Sequence, residues 1–242
     1  MGGLATKSNV SQSLTVNKTL RRNVPETKLY SNSTLKTMLD KYKMVYVKPN
    51  DGTGGHGIMR VEKQGQRYQY QLKTFTQSYT SFDSLVRSMK KSMKRNPYVI
   101  QQGIHLLRRN GRLFDLRVMV QKNLKGNWET TGMIGRLGHP RKIVTNLCKG
   151  GKPMSIEVLM KPHVINMDSY KKNLETLGYR TARRLNQTFP RIKELGLDIG
   201  IDRNLHPWIL EANPRPAIYG FKSLKDKNVY RKICRYQKGY GR

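Results

Sequence analysis

The sequence predicts a mixed α+β fold made of two lobes, and three observations lead to that prediction. Short strand patterns and a helical pattern follow one another between residues 44 and 100. Longer strand patterns lie between residues 114 and 135. A long helical segment then precedes a strand hairpin that ends near residue 214. Because strands and helices occur in both groups, we expect two α+β lobes.

The first lobe begins with a helix and a compact strand. Ser33 is expected to cap a short helix that runs to about Tyr42. The β-branched and aromatic run from Met44 to Val47 predicts a strand that ends at Lys48 and Pro49. The elements predicted next are strands from Ile58 to Lys63 and from Arg67 to Lys73, a helix from about Ser81 to Lys94 and a strand from Tyr98 to Gln102.

The second lobe is predicted to start with two strands, from Phe114 to Gln121 and from Trp128 to Gly135, joined by a turn at Lys125-Gly126-Asn127. A long helix follows, capped near Asp168 and continuing to about Thr188. Pro190 lacks a backbone N–H and therefore ends the helical segment.

The composition divides the chain into a folded centre and two tails. Residues 1–24 are rich in Ser, Thr and Asn and predict a flexible N-terminal tail. The folded domain is expected over residues 25–221, with a small lobe at about 44–100 and a large lobe at about 101–221. Residues 222–242 are basic, contain three tyrosines, and could form a short helix and a frayed tail.

The charge of the chain is strongly positive, with 47 Lys and Arg against 15 Asp and Glu and a net charge of +32. Such a field attracts phosphates, nucleic acid and acidic proteins at low salt. The basic residues are spread from Lys7 to Arg242 without a long block, and no RNP-like or zinc-finger pattern is present. We therefore expect nucleic acid to bind only non-specifically.

The cysteines and the apolar runs indicate a cytoplasmic protein. Cys148 and Cys234 stand alone, without the spacing of a zinc site or a disulfide framework. No apolar run is long enough to cross a bilayer, and the N-terminus lacks the apolar core of a secretory signal. No membrane partner is expected.

The segment from Leu197 to Pro214 reads as a hairpin that gathers acidic side chains. Folded about Asn204 and Leu205, it sets Asp198 opposite Glu211, with Asn213 on the same face as Glu211. Two facing carboxylates repel each other unless a cation lies between them, and hard oxygen ligands of this kind suit Mg²⁺. From the hairpin alone, an ordinary amphipathic hairpin with its acids in solvent is an equal alternative.

A glycine-rich loop follows the strand that ends at Lys48. The run from Asn50 to Ile58 contains four glycines, so free backbone N–H groups could wrap a polyphosphate beside the charge of Lys48. The loop is not a Walker loop, because no Gly-Lys-Ser/Thr closes it. Taken alone, such a loop is more often a mobile surface loop than a phosphate-binding one.

The Lys-Pro strand end with its glycine loop, the strand Val99–Ile104 and the terminal Asp…Glu-x-Asn hairpin occur in an order that resembles the ATP-grasp superfamily. The likeness is to RimK-like amino-acid ligases and, more closely, to the YheC/YheD proteins associated with the Bacillus spore coat. It runs from about Pro25 to Phe221. It implies the ATP-grasp fold, in which two α+β lobes grip ATP, and the N-terminal domain usually placed beside them is expected to be absent.

The resemblance also implies roles for single residues. Lys48 would contact the ATP phosphates, Asp115 would lie near the ribose, and Asn146 would belong to an Arg-x-Asn…Gly-Gly motif in which Val144 replaces the arginine. The arginines facing the reaction centre would be Arg117, Arg136 and Arg215. The Mg²⁺ ligands would be Asp198, Glu211 and Asn213. The remaining ATP contacts would be the loop residues Gly52, Thr53, Gly54, Gly55, His56 and Gly57 and the hinge residues Gln101, Gln102 and Ile104, where the family often has glutamate in place of the glutamines.

The function implied by the resemblance is an ATP- and Mg²⁺-dependent carboxylate–amine ligase that acts through an acyl phosphate. The carboxylate and the amine are not named by any motif. An alternative stays open, namely a non-catalytic spore-coat or scaffold protein that keeps the fold and uses its charge to hold acidic coat components. Association with the spore would then accompany the cytoplasmic location.

Overall fold

The structure, a computed structural model, describes residues 5–52 and 54–241 and divides them between two lobes, each built on a six-stranded antiparallel sheet. The elements up to the end of the first sheet are α1 (Lys7–Val16), β1 (Thr27–Leu29), α2 (Asn32–Tyr42), β2 (Met44–Pro49), β3 (Met59–Gln64), β4 (Arg67–Leu72), β5 (Phe75–Tyr79), α3 (Phe82–Ser92) and β6 (Tyr98–Gln102). The elements that follow are β7 (Arg108–Arg109), β8 (Arg112–Lys122), β9 (Trp128–Leu137), β10 (Lys152–Met154), α4 (Ile156–Met160), α5 (Met167–Thr188), β11 (Glu194–Ile201), β12 (Pro207–Asn213) and α6 (Lys227–Gly239).

The small lobe has the strand order β1-β6-β2-β3-β4-β5. Helices α2 and α3 cover this sheet, and Leu39, Val47 and Met89 meet in one core in which each is fully buried. Ser31, rather than the predicted Ser33, caps α2 by accepting a hydrogen bond from the backbone N–H of Thr34 at 3.0 Å. The central strand β2 thus delivers Lys48 to the edge of the lobe.

The large lobe has the strand order β10-β9-β8-β11-β12, with β7 paired to β8. Side chains of β8 alternate between the two faces of this sheet, as strand geometry requires. Leu116 and Val118 lie in the core that includes residues of α5, whereas Met119 packs with Ile233 of α6 in a separate cluster. Asp115 and Arg117 share the face of Met119, and that face turns toward the small lobe at its polar end.

The hairpin of β11 and β12 contains a β-bulge that sets the direction of the acidic side chains. Asp198 pairs with Glu211, as the sequence predicts, but the next pair is Ile199 with Ile209, so Leu210 is the extra residue. Without the bulge, residues 209 and 211 would point to the same face. The bulge lets Ile209 join the core while Glu211 faces the polar side.

The N-terminal segment differs from the prediction. Over the described residues 5–24 the expected flexible tail is wrong, because α1 and a turn at Arg21–Asn23 are ordered there. Val10 and Leu14 of α1 belong to the large-lobe core, and the hydroxyls of Ser13 and Thr188 lie 2.6 Å apart. These two apolar residues, four positions apart, suffice because α5 and the β-sheet supply the remaining apolar surface.

The C-terminal segment is also more ordered than a basic tail. Residues 227–239 form α6, and Ile233 and Tyr236 are buried against the large sheet. Short elements account for most of the other differences: β1, β5, β10 and α4 were not predicted, since three to five residues give little periodicity of their own. The longer predicted strands and helices lie within a few residues of their observed bounds.

Candidate functional site

A cleft between the two lobes has about 620 Å³ of empty volume, the space at its open mouth included. Its apolar lining comes from both lobes and consists chiefly of Tyr46, Ile58, Ile104, Leu106, Ile143 and Leu210. Its polar lining includes Lys48, Asp115, Arg136, Asp198 and Glu211. A concave, partly apolar space with convergent charged groups is typical of a small-molecule site.

Lys48 enters the cleft from the end of β2. Its Nζ donates to Oε1 of Gln101 at 2.5 Å and lies 5.6 Å from the centre of the Tyr46 ring. Desolvation in the cleft lowers the pKa of Lys48 to about 8, although the charge of Glu211 opposes that shift. The ammonium group therefore sits in a place that a bound anion would stabilise.

The two predicted hinge glutamines serve different contacts. Gln101 is buried; besides accepting from Lys48, it donates to Oγ1 of Thr27 at 3.3 Å and to the carbonyl oxygen of Leu210 at 3.4 Å. Its amide thereby provides a hydrogen-bond donor for the carbonyl of Leu210, the extra residue of the bulge. Oε1 of Gln102 accepts from the backbone N–H of Glu26 at 3.2 Å. Both side chains thus hold protein groups in place.

Ile104 follows these glutamines and lines the same cleft. Among the described residues, its backbone N–H and carbonyl have no hydrogen-bond partner. A hinge backbone that lines an apolar cleft with free donor and acceptor groups can read the edge of a planar heterocycle.

A buried ionic network forms the floor of the cleft. The Arg117 Nε donates to Asp198 Oδ1 at 2.6 Å, and the Arg136 Nη2 lies 2.7 Å from Asp198 Oδ2. Arg136 also grips Asp115 with two bonds, of 2.7 and 2.5 Å. Thr145 donates to the same Asp115 at 2.5 Å. Two arginines and two aspartates therefore neutralise one another where strands β8, β9 and β11 meet.

The network keeps its groups ionised. Burial would raise the pKa of Asp198, but Arg117 and Arg136 outweigh it and hold that pKa below its usual value. Burial would lower the pKa of Arg136, but Asp115 and Asp198 raise it above its usual value. Gly196 makes room for the network, because a Cβ there would lie 2.9 Å from Nη1 of Arg117.

Glu211 lies beside this network and faces a different cation. Lys7, on the first turn of α1, places its Nζ 3.6 Å from Glu211 Oε1 and also donates to the carbonyl oxygen of Gly52. Asn213 accepts from the backbone N–H of Arg215 at 2.8 Å, and the side chain of Arg215 is exposed beyond the strand end. Asp202, which shares the hairpin, caps its turn and bonds Trp208 instead of entering the cleft.

The glycine loop touches the large lobe. A Cβ at Gly55 would lie 2.6 Å from Oδ1 of Asn146, so the backbone approaches that side chain more closely than other residues allow. Lys149 Nζ lies 2.8 Å from Nε2 of His56, and Cys148 Sγ lies 3.6 Å from the carbonyl oxygen of Gly54. Thr53, also predicted to contact a ligand, lies outside the described residues.

The structure brings together most of the predicted site residues and adds others. Lys48, Asp115, Arg136, Asn146, Asp198 and Glu211 line one cleft, whereas Asn213 and Arg215 lie on the far side of Glu211. Sequence reasoning missed Lys7, Thr145 and the bulge at Leu210. Only Lys7 has a sequence signal, namely Thr6 as a helix cap with Val10 and Leu14 four residues apart.

The oxygen ligands predicted for a metal differ in how far other protein groups already occupy them. In the part of the chain that the structure describes, no three His, Cys, Asp or Glu side chains cluster in a way that would hold a metal ion. Both oxygens of Asp198 face arginines, whereas Glu211 has one ion-pair partner at 3.6 Å. Glu211 is therefore the carboxylate with room for a cation, and a metal role for this set stays a prediction.

Comparison with known protein families gives a match over nearly the whole chain. The model of the YheC/D like ATP-grasp family matches residues 2–242. The endospore coat-associated protein YheD of Bacillus subtilis (strain 168) is 30% identical over 182 residues, which cover 73% of this chain and 40% of YheD. The endospore coat-associated protein YheC of the same organism is 26% identical over 229 residues, covering 89% of this chain and 61% of YheC. The chain thus spans less than two thirds of either relative.

Solved structures share the fold. The C-terminal domain of K. lactis Pby1, an ATP-grasp enzyme, has a TM-score of 0.51 at 14% identity, over 93% of this chain and 68% of that one. The N5-carboxyaminoimidazole synthase of Aspergillus clavatus, in complex with ADP and 5-aminoimidazole ribonucleotide, has a TM-score of 0.52 at 10% identity, over 87% and 44%. At these identities the likeness shows the fold alone, and it confirms the predicted α+β architecture of two lobes.

No helix in the described part of the chain has the length and apolar composition that crossing a membrane requires.

Proposed function

This chain belongs to the YheC/D-like ATP-grasp family, and from that premise we propose that its interlobe cleft binds ATP and that the protein is an ATP-dependent carboxylate–amine ligase. The observation that carries the proposal is Lys48. Its ammonium lies in the cleft against the neutral amide of Gln101, with a pKa lowered to about 8. A bound phosphate would supply the missing negative charge.

The apolar part of the cleft suits the base of the nucleotide. Tyr46, Leu106 and Leu210 offer flat or branched apolar surface, and Ile104 offers free backbone groups for hydrogen bonds. The N5-carboxyaminoimidazole synthase that shares the fold was solved with ADP, which supports nucleotide binding here. Gln101 and Gln102 would act by shaping this region, since their amides already bond protein groups.

The hairpin oxygens fit a magnesium ion by their chemistry. Among the residues that the structure describes, Glu211 has one ion-pair contact, with Lys7. It faces Asp198 across the hairpin, with Asn213 near the strand end. Mg²⁺ prefers one or two carboxylates together with substrate phosphates and water. When bound, Mg²⁺ would offset the charge of the phosphates during transfer.

The proposed reaction joins an acid to an amine in two steps. An oxygen of the substrate carboxylate attacks the γ-phosphorus of ATP, so that ADP leaves and an acyl phosphate forms. The amine nitrogen then attacks the acyl carbon, phosphate leaves, and the nitrogen loses a proton. Arg136 lines the cleft and is held there by Asp115 and Asp198, so its guanidinium N–H groups would lie beside the transferred phosphoryl group. Arg117 would act by fixing Asp198.

A second candidate function is a non-catalytic role in the spore coat. It is favoured by the names of the two relatives, both described as endospore coat-associated, and by the net charge of +32, which would hold acidic partners. Such a protein would keep nucleotide binding or lose it, but it would not turn ATP over.

An assay of ADP and phosphate release distinguishes the two candidates. The chain is incubated with ATP, Mg²⁺ and a panel of amino acids and diamines. The ligase predicts release that requires both a carboxylate and an amine, is lost in Lys48→Met, and persists in Lys90→Met, an exposed control on α3. ATP binding without release from any pair would favour the coat role.

A further inference from the structure

A second concave region lies on the far side of Glu211 from the cleft. This region, called the α1 groove, is lined by Lys7, Asn50–Gly52, Arg191–Glu194, Glu211–Arg215 and Tyr240. It has about 1350 Å³ of empty volume, the space at its open mouth included. Glu211 lines both the groove and the cleft. The α1 groove therefore opens directly onto the carboxylate that the proposed function places at the reacting phosphate.

Three of the four cations that line the groove form no ion pair with the acids of the described chain. Arg191, Lys193 and Arg215 are exposed, and none of them forms an ion pair among the described residues. Glu194 is buried and accepts from Gln121 and Gln237. The unpartnered charge that faces the groove is therefore mostly positive.

The other acids of the groove weaken that field only in part. Glu211 already faces Lys7 at 3.6 Å. Asp51 is exposed at the rim, where its Oδ1 lies 3.5 Å from Nδ2 of Asn96. Neither lies on the Arg191–Glu194 segment, so that wall of the groove presents Arg191 and Lys193 without a competing exposed acid.

The groove also offers apolar surface between its charges. Ile192, Ala212 and Pro214 line it together with Tyr240, whose ring centre lies 5.7 Å from Nζ of Lys193. Cations spaced along a partly apolar wall suit an organic chain that carries several carboxylates.

We propose that the α1 groove binds the carboxylate substrate, and that this substrate is an acidic compound with two or more carboxylates along a chain, such as a short acidic peptide. The proposal rests on the proposed ligase function. One carboxylate would approach Glu211 and the phosphates, while Arg191, Lys193 and Arg215 neutralise the others. The N-terminal helix and the end of α6 would thus supply walls of the substrate site.

Calorimetric titration with tri-glutamate, and with tri-glutamine as the neutral match, tests the proposal at about 0.1 M salt. The groove variant is Arg191→Gln/Lys193→Gln. The control variant is Lys90→Gln/Lys91→Gln, which removes the same charge from exposed positions outside the groove. All these side chains are exposed, so the variants are expected to keep the thermal midpoint of the native chain.

The expected result is binding of tri-glutamate but not of tri-glutamine. The groove variant should bind tri-glutamate about three- to tenfold more weakly, since two exposed charge pairs are lost, and the control variant should match the native chain within about twofold. The proposal would be overturned if both variants bound tri-glutamate more weakly by the same factor, or if the native chain did not bind tri-glutamate.

ATP titrations on the same proteins separate this proposal from the ligase proposal. If the protein binds ATP but not tri-glutamate, the groove is not the substrate site, and the proposed nucleotide site in the cleft is supported. Groove-dependent tri-glutamate binding without ATP binding would support the anion site and reject the ligase.

Discussion

At the scale of single residues, Lys48 is the group whose surroundings say most about the site. It meets an amide in place of a carboxylate, and the cleft lowers its pKa to about 8. A lysine kept for stability alone would have an acidic partner or full contact with water. The missing partner is what a bound phosphate would provide.

Lys48 predicts a pH dependence of nucleotide binding. Because the protonated form attracts phosphate and the pKa is about 8, ATP affinity should fall about tenfold as the pH rises from 7.5 to 9. Calorimetry across this range measures the change. Lys48→Arg keeps its positive charge at these pH values, so its affinity for ATP should not change with pH. Identical profiles for the native chain and Lys48→Arg would contradict the assignment.

Asp198 predicts a stability effect. Asp198→Asn leaves Arg117 and Arg136 without their shared charge and should lower the free energy of unfolding by about 3 kcal/mol. Urea unfolding at pH 7 measures this loss. Asp83→Asn, at an exposed position in the first turn of α3, should cost less than about 1 kcal/mol.

The pH dependence of that effect has a definite sign. The native pKa of Asp198 lies below its ordinary value of 3.8, so its stabilisation is complete above that pH and is lost as the pH falls through the native pKa. The difference in the free energy of unfolding between the native chain and Asp198→Asn should therefore become smaller below about pH 4. If this difference became larger in acid, the ion pairs of Asp198 with Arg117 and Arg136 would not be what stabilises the fold.

The sequence could predict contacts between residues of one hairpin, but it could not predict contacts between residues on distant segments. The pair Asp198 and Glu211 follows from strand alternation within one hairpin, and it is confirmed. The arginines that hold Asp198 could not be assigned to it, because Arg117 and Arg136 lie on strands far away in sequence. The role of Lys7 depends on α1 docking, which local pattern does not show.

At the scale of elements, the β-bulge at Leu210 explains how one hairpin serves both core and cleft. The predicted turn about Asn204 and Leu205 gives Asp198 opposite Glu211 directly, whereas the observed turn pairs Ile201 with Pro207 and the bulge restores the register. The sequence around Leu210 contains no glycine or other residue that is typical of a bulge. Its position is fixed by the demand that Ile209 be buried and by Gln101 bonding its carbonyl.

Helix α1 predicts a clear contrast between two of its residues. Leu14 is 1% exposed in the large-lobe core, and Val16 on the same helix is 70% exposed. Leu14→Ala should lower the free energy of unfolding by about 2–5 kcal/mol, whereas Val16→Ala should change it by less than about 0.5 kcal/mol. Urea unfolding measures both. Equal, small effects would mean that α1 is not docked in solution.

At the scale of the whole molecule, two lobes and their connecting elements define the cleft. The long helices and the strands β8 and β9 were predictable because periodicity is strong over ten residues or more. The shorter strands β2 and β6 were predictable from their β-branched and aromatic residues. The segments that tie the lobes together were not, since α1, β1 and the loop at residues 141–149 gain order from contacts across the molecule. The site depends on both kinds of segment.

The net charge of +32 predicts how the protein meets nucleic acid. Binding to duplex DNA should be independent of sequence and should weaken at least about a hundredfold between 50 and 200 mM salt, because counterion release drives it. Fluorescence anisotropy on two duplexes of different sequence measures both properties. Preference for one duplex, or binding that salt leaves unchanged, would point to a dedicated nucleic-acid site.

The proposed function depends on the cleft binding ATP with Mg²⁺ at Glu211. Calorimetric titration of ATP, with and without Mg²⁺, into the native chain and into Glu211→Ala tests this binding. We expect Mg²⁺ to tighten ATP binding to the native chain, and we expect Glu211→Ala to lose this enhancement. Absence of ATP binding by the native chain, under both conditions, would contradict it.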